Sequence, residues 1–461
     1  MIQPPANYPV NVAHPEDPKS REMPGSAFAR TARLASLPVG FAGRTTWGMG
    51  KRMVGVPANA VLDEVQRRTA DQIFKVLGEL KGGAMKFGQA MSIFEAVLPD
   101  EIAGPYRETL TKLQDSAPPM PPDRVHRVMT EEFGAGWRDD FTSFEDKPAA
   151  SASIGQVHRA IWIDGTEVAV KLQYPGAAKA LMSDLKQIAR VARLFGVIAP
   201  GVDVKPLVEE LQERVAEELD YSLEANAQQM FALEFAGDPE IVVPEVVTYT
   251  ERALVTTWME SEYSLAEVIA NGTQEERDHF GELYVRFLIS GPSRTGMLHA
   301  DPHPGNFRVL ADGRLGVVDY GAVARLPEGL PPAMGRLLRQ AVEGNFGAVV
   351  EGLREEGFLK PGVDLDADTI ARYIGPFVEP ASVERFAFNR EWMRQQVLRV
   401  SAPGSDGFGT AIKINLPPQY LLIHRVWVGG IGVLSQLGAT APFRQILIDS
   451  LPGFADEPDT P

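Results

Sequence analysis

The tightest constraint on this chain is a spacing. The stretch His299-Ala300-Asp301-Pro302-His303-Pro304-Gly305-Asn306 is followed by Val317-Val318-Asp319-Tyr320-Gly321. An Asp shortly before an Asn on one loop, then a downstream Asp-aromatic-Gly, supplies what phosphoryl transfer demands. The first carboxylate, Asp301, orients or deprotonates an acceptor, while Asn306 and Asp319 hold Mg²⁺ against the phosphates of ATP. The pattern implies a nucleotide-handling enzyme.

Upstream residues extend this reading. Val157 to Ile163 and Glu167 to Leu172 alternate apolar and polar residues around Asp164-Gly165, which predicts a β-hairpin. Its second strand ends in Val168-Ala169-Val170-Lys171, where a lysine can reach α- and β-phosphates. A strand ending in Lys is common by chance, so its weight comes from the surrounding pattern. A helix is expected over 205–235, with Leu207, Leu211, Val215 and Leu219 facing the core and Glu217, Glu218, Asp220 and Glu224 on adjoining faces. Asp220 and Glu224 would repel one another unless a cation sits between them, and Lys171 and Lys86 are the candidates. The bland alternative is a solvated acidic face. The turn Ala150-Ser151-Ala152-Ser153 stands where a glycine-rich phosphate loop is usual. Alanine resists the positive φ that glycine accepts, so this loop must approach phosphates differently. The segment after Asp319 lacks Ala-Pro-Glu, which argues against protein-substrate docking of the usual kinase kind. His299 and His303 sit on a Pro-containing loop without a third ligand, and a structural or positioning role suits them better than zinc.

The chain's 461 residues, 44% of them hydrophobic, suit two or three globular domains. The net charge of -16 argues against nucleic acid as a partner. The absence of cysteine excludes disulfides and thiolate chemistry and is compatible with a reducing cytoplasm. No secretory signal pattern opens the sequence. Leu421 to Leu437 is the nearest candidate for a membrane span, but His424, Arg425, Gln436 and several glycines favour a buried or interfacial helix. Residues 1–24 read as a disordered tail. From Met23 to Leu62 no acidic residue occurs, while Arg30, Arg33, Arg44, Lys51 and Arg52 alternate with Phe28, Phe41 and Trp47. Two readings stand for 26–56: a surface for anionic lipid headgroups, or a segment docked on the protein's own acidic surface. Residues 58–115 look helical, but three glycines lie within Lys81-Gly82-Gly83-Ala84-Met85-Lys86-Phe87-Gly88-Gln89. Each costs about 1 kcal/mol in a helix, so the helix breaks there or another backbone comes close.

The expected fold is α+β with two lobes. A helical extension (25–120) precedes a strand-rich small lobe (121–260) and a helical large lobe (261–461). At these residues the sequence resembles the UbiB/AarF family of atypical kinase-like proteins. Lys86-Phe87-Gly88-Gln89 matches its KxGQ motif, Ala150-Ser151-Ala152-Ser153 its alanine-rich loop, and Glu218-Leu219-Asp220 its ExD motif. Ser151 interrupts the alanine run, and Tyr320 replaces the usual Phe. The resemblance implies a protein-kinase-like fold whose extension packs the KxGQ helix over the protein-substrate site. It implies that Lys171 pairs with Glu224, that Lys86 and Gln89 gate the pocket against Glu218 and Asp220, and that Asn306 and Asp319 bind the metal. It further implies ATP or ADP binding and a slow ATPase serving isoprenoid-quinone or other lipid metabolism, with peripheral membrane association and partners among quinone-pathway enzymes. A small-molecule phosphotransferase and a non-catalytic nucleotide-binding scaffold are the rivals.

Overall fold

The structure is a computed structural model that describes residues 119–152, 154–177, 219–401, 406–411 and 413–455. Lys86, Gln89, Ser153, Glu218 and the basic stretch 26–56 lie outside the described residues, as do the tail and nearly all of the expected extension.

The first element, α1 (Pro122–Phe133), starts on a proline, whose missing N–H costs nothing at a helix N-terminus. Its buried face, Val125, Val128 and Met129, repeats at helical spacing and packs with Trp137 against a sheet. Strands β1 (Phe141–Phe144), β2 (Ala150–Ala152), β3 (Gly155–Trp162) and β4 (Glu167–Gln173) follow. After α2 (Tyr221–Glu234) come β5 (Ile241–Val242), β6 (Val246–Tyr249), β7 (Ala253–Thr257) and β8 (Tyr263–Ser264). The six-stranded sheet runs β1-β3-β4-β7-β6, with β2 folded back on β3. Along β4, Val168, Val170 and Leu172 are fully buried under α1, so Ala169 and Lys171 point to the opposite face.

The expected hairpin forms with the Asp164-Gly165 turn, Gly165 taking φ 91°. Ile241 to Val247, which reads in the sequence as one strand, is divided instead. Pro244 cannot donate to a ladder, and the chain changes sheets around it: β5 pairs in parallel with a strand of the second sheet, while β6 pairs with β7. The continuous helix expected over 205–235 is also corrected. Asp220 is extended (φ -114°, ψ 97°) and caps a new helix that begins at Tyr221.

The helical part begins with α3 (Leu265–Asn271) and α4 (Gln274–Thr295), each opened by a complete capping box, Ser264 with Glu267 and Thr273 with Glu276. Short strands β9 (Met297–His299), β10 (Phe307–Val309), β11 (Leu315–Val317) and β12 (Val323–Arg325) carry the loops of interest. The second sheet is ordered β5-β11-β10-β8, and β12 pairs with β9. Beyond them lie α5 (Pro332–Val342), α6 (Phe346–Glu355), α7 (Ala367–Ser382), β13 (Phe386–Ala387), α8 (Arg390–Ser401) and α9 (Asp406–Ala411). The last elements are α10 (Leu421–Leu437), β14 (Thr440–Ala441) and α11 (Phe443–Ser450). Helix α4 is the spine: Phe280, Leu283, Tyr284, Phe287 and Leu288 are buried in a core shared with α10 and α11. The apolar stretch Leu421–Leu437 is therefore a core helix, and no helix among the described residues is long and apolar enough to cross a membrane.

Gly155, at the bend from β2 to β3, is fixed by close approach. A Cβ there would overlap the Leu172 carbonyl and touch the Tyr221 hydroxyl at 3.0 Å. Gly155→Ala is expected to cost about 1–3 kcal/mol, as overpacking does, and to lower the thermal midpoint. Calorimetry of the two proteins checks this.

Candidate active site

Lys171 lies on β4, a central strand paired with β3 through Val157 and with β7 through Leu254, so its backbone is held on both sides. Asp220 caps α2 by accepting from the Ser222 N–H at 2.9 Å. That cap sets the first turn so that Glu224, only 4% exposed, meets the lysine. Lys171 Nζ donates to Glu224 Oε1 at 2.7 Å and Oε2 at 2.9 Å, lies 3.5 Å from Asp319 Oδ1, and stands 5.0 Å from the centre of the Tyr221 ring. Burial by itself would lower the lysine's pKa. The charges of Asp319 and Glu224 outweigh it and hold the ammonium well above the ordinary lysine value.

The loop after β9 supplies the other groups. Tyr284 of α4 donates its hydroxyl to the Pro302 carbonyl at 2.7 Å, fixing the loop backbone beside Asp301. Asn306 Nδ2 donates to Asp301 Oδ2 at 3.0 Å, which leaves the amide oxygen, the atom a metal takes, outside that bond. The Val318 N–H then donates to the Asn306 carbonyl at 2.9 Å, tying the two loops together. Asp319 has φ 67°, the one positive value at a non-glycine position among the described residues. That conformation costs an L-residue roughly 1–3 kcal/mol and persists only where its surroundings impose it. Here His299 Nε2–H donates to the Asp319 carbonyl at 3.0 Å, and the Gly321 N–H donates to Asp319 Oδ1 at 3.2 Å. The imidazole is wedged among Phe287, Phe307 and Tyr320. A Cβ at Gly321 would come within 3.5 Å of both Asp319 Oδ1 and Glu224 Oε2, so the glycine keeps this corner open.

The structure thus brings Lys171, Glu224 and Asp319 together, and separately links Asp301 to Asn306. Ala150, Ser151 and Ala152 form β2, in register with Val157, Gln156 and Gly155, so the alanine-rich turn is a strand flap attached to the lysine's own sheet. Asp220 acts as a helix cap. Two features escaped the sequence pattern. Tyr284 reads there as one more core aromatic. A buried chain also runs from the Met120 N–H to Gln156 Oε1 (2.7 Å), from Gln156 Nε2 to His158 Nε2 (2.7 Å), and from His158 Nδ1 to the Glu145 carbonyl (2.7 Å). No spacing signals it, because strand polarity alone would place Gln156 in solvent.

Among the described residues, no three acidic or histidine side chains converge as a complete metal cage. A cation would take Asn306 and Asp319 from the protein and its remaining ligands from phosphate and water, which suits Mg²⁺. On the far side of Glu224 a cleft of about 1430 Å³ opens between α2, the segment from Tyr320 to Gly329, and the start of α10.

The residues match the ABC1 atypical kinase-like domain over 112–353. This chain belongs to that family. It is 30% identical over 351 residues to the mitochondrial atypical kinase coq-8 of Caenorhabditis elegans, covering 73% of this chain and 46% of the worm protein. It is 27% identical over 466 residues to the mitochondrial atypical kinase COQ8B of Danio rerio, covering 95% of this chain and 72% of the relative. The chain thus spans about half to three quarters of these relatives. Among solved structures, Rv3197 of Mycobacterium tuberculosis in complex with erythromycin aligns with TM-score 0.68 and 42% identity, over 87% of this chain and all of that one. The α+β kinase-like fold expected from the UbiB/AarF motifs is the family's fold, and Lys171, Glu224, Asp301, Asn306 and Asp319 all fall inside the matched segment.

Burial holds both His158 and His299 below the ordinary imidazole value of 6.5. Below that value the unfolded chain takes up protons that the folded chain refuses, so stability should fall as pH drops through it. The slope is at most ~1.4 kcal/mol per pH unit for each histidine. His299→Gln should flatten the decline, as read by urea unfolding at pH about 7.5 and about 5.5.

Proposed function

We propose that this chain is an atypical kinase-like ATPase that binds Mg²⁺ and ATP or ADP and serves isoprenoid-quinone or another prenyl-lipid metabolism at a membrane surface. The observation that carries the reading is the position of Lys171 Nζ, 2.7 Å from Glu224 and 3.5 Å from Asp319. A lysine so held presents a fixed positive charge to the α- and β-phosphates, and β2 flanks the same space. Mg²⁺, when bound, would neutralise the charge that develops on the phosphate oxygens. Asn306 and Asp319 are its protein ligands in this reading. Asp301, steadied by Asn306, accepts the proton of water or an acceptor hydroxyl as that oxygen bonds to the γ-phosphorus and the bond to the β-phosphate oxygen breaks.

The names of the worm and fish relatives support kinase-like chemistry, and the quinone pathway enters from the family resemblance. Lys86 and Gln89 gate the pocket in this proposal, with Glu218 and Asp220 opposite them, and residues 26–56 make the peripheral membrane contact. A phosphotransferase for cationic small molecules fits less well: the cleft beside Glu224 carries Glu224 and Glu328 but also Arg294 and Arg325, not an acidic lining.

Phosphate release by the purified protein, with and without anionic liposomes, tests the proposal. Asp319→Asn should reduce Mg²⁺-dependent turnover roughly a hundredfold or more. Binding of Mg²⁺-ATP without turnover in the wild type would favour the scaffold reading, and absence of binding would end the nucleotide reading.

A second reading rests on the erythromycin complex of the relative. The 1430 Å³ cleft exceeds the ~300–1,000 Å³ of ordinary ligand pockets and has room for a bulky, largely apolar molecule. Titration calorimetry with erythromycin checks it. Saturable binding that survives Asp319→Asn is expected, and no heat at saturating macrolide would dismiss it.

A further inference from the structure

Away from the lysine site, helices α5, α6, α7 and α10 enclose a cavity of about 240 Å³. Leu337, Ala341, Leu353, Val378 and Ile423 are among its walls, and almost every lining side chain is apolar. Val349, Leu353 and Val378 also belong to the hydrophobic cluster that joins α5, α6 and α7. The space is large enough for several water molecules, but ordered water needs two to four polar partners and these walls offer few. Filling it with water leaves apolar surface wet, and leaving it empty forfeits dispersion contacts on every wall. A hydrocarbon occupant avoids both costs.

Size narrows the occupant. The volume lies below the ~300–1,000 Å³ typical of pockets for drug-sized, ring-based ligands, which favours a single flexible chain. The rim indicates what such a chain carries at its end. Phe377 lines the cavity yet is 39% exposed, so it stands at the mouth. The Arg399 guanidinium lies over its ring at 5.4 Å, and His424 is an exposed rim residue on the adjoining helix. Tyr420, one of the few polar lining residues, donates its hydroxyl to Glu356 at 2.7 Å.

We propose that this cavity binds the hydrocarbon tail of a single-chain amphiphile whose anionic head group lies at the Phe377–Arg399 rim. The site is separate from the nucleotide residues and rests on the lipid side of the functional reading only for its class of ligand. A carboxylate or a phosphate head would meet the same guanidinium, and the two sources are distinguished by the probe.

The test uses the full chain after delipidation, with anthroyloxy-labelled stearate held below its micelle concentration as the probe. Saturable binding at one site per chain is expected. Leu353→Trp, which fills the cavity, should weaken it at least tenfold, and Ala341→Leu should do so in part if the tryptophan variant does not fold. Arg399→Gln should weaken the acid severalfold while leaving its methyl ester unchanged. Competition by an alkyl phosphate, stronger or weaker than by unlabelled stearate, assigns the preferred head. Binding of Mg²⁺-ATP, measured on the same samples, should be unaffected by these variants, so failure of the nucleotide reading and failure of the cavity are seen independently. Absence of saturable probe binding, or undiminished binding by both cavity variants, overturns the proposal. Equal wild-type affinity for acid and ester overturns its anionic head.

Discussion

The ammonium of Lys171 between Glu224 and Asp319 is the contact on which the rest of the site depends. It joins the central strand of the six-stranded sheet to the first turn of α2 and to the loop after β11. Such a buried pair gains little net stability, because desolvating both charges offsets most of their attraction. Its effect is on geometry. Because one ammonium meets carboxylates from two other elements, three separately folded elements are held to one arrangement.

The surrounding devices act on the same corner. The left-handed backbone of Asp319 is imposed by the buried imidazole of His299 and by the Gly321 amide, and Tyr284 anchors the neighbouring loop from the spine helix. Strain at Asp319 is thereby maintained by the aromatic core of the helical part and not by Lys171 or Glu224. This separates the cost of building the site from the act of binding.

Much of this was legible in the sequence, for identifiable reasons. The Asp164-Gly165 turn and the alternation on either side of it are local signals, and local signals placed β3 and β4. The spacing from Asp301 to Asp319 is likewise a property of one continuous stretch. The misreadings arose where geometry is set by distant residues. Leu219 continues an apolar helical repeat, yet Asp220 is extended and caps a helix that starts at Tyr221, which lets Glu224 reach the lysine on β4. Ile241 to Val247 reads as one strand because periodicity does not record that a proline can move the chain from one sheet to another. The roles of Tyr284 and Gln156 depend on partners 18 and 36 residues away, which no local pattern encodes.

That proline-marked change of sheet has a mechanical consequence. Among the described residues the chain passes between the two sheets three times, entering the second sheet at β5, returning to the first between β5 and β6, and crossing again between β7 and β8. A body joined to another by a single tether can swing and also spin, whereas several nearby tethers suppress the spin. Because Gln228 of α2 donates to the Pro244 carbonyl, Glu224, one turn earlier on the same helix, is tied to the connection between β5 and β6.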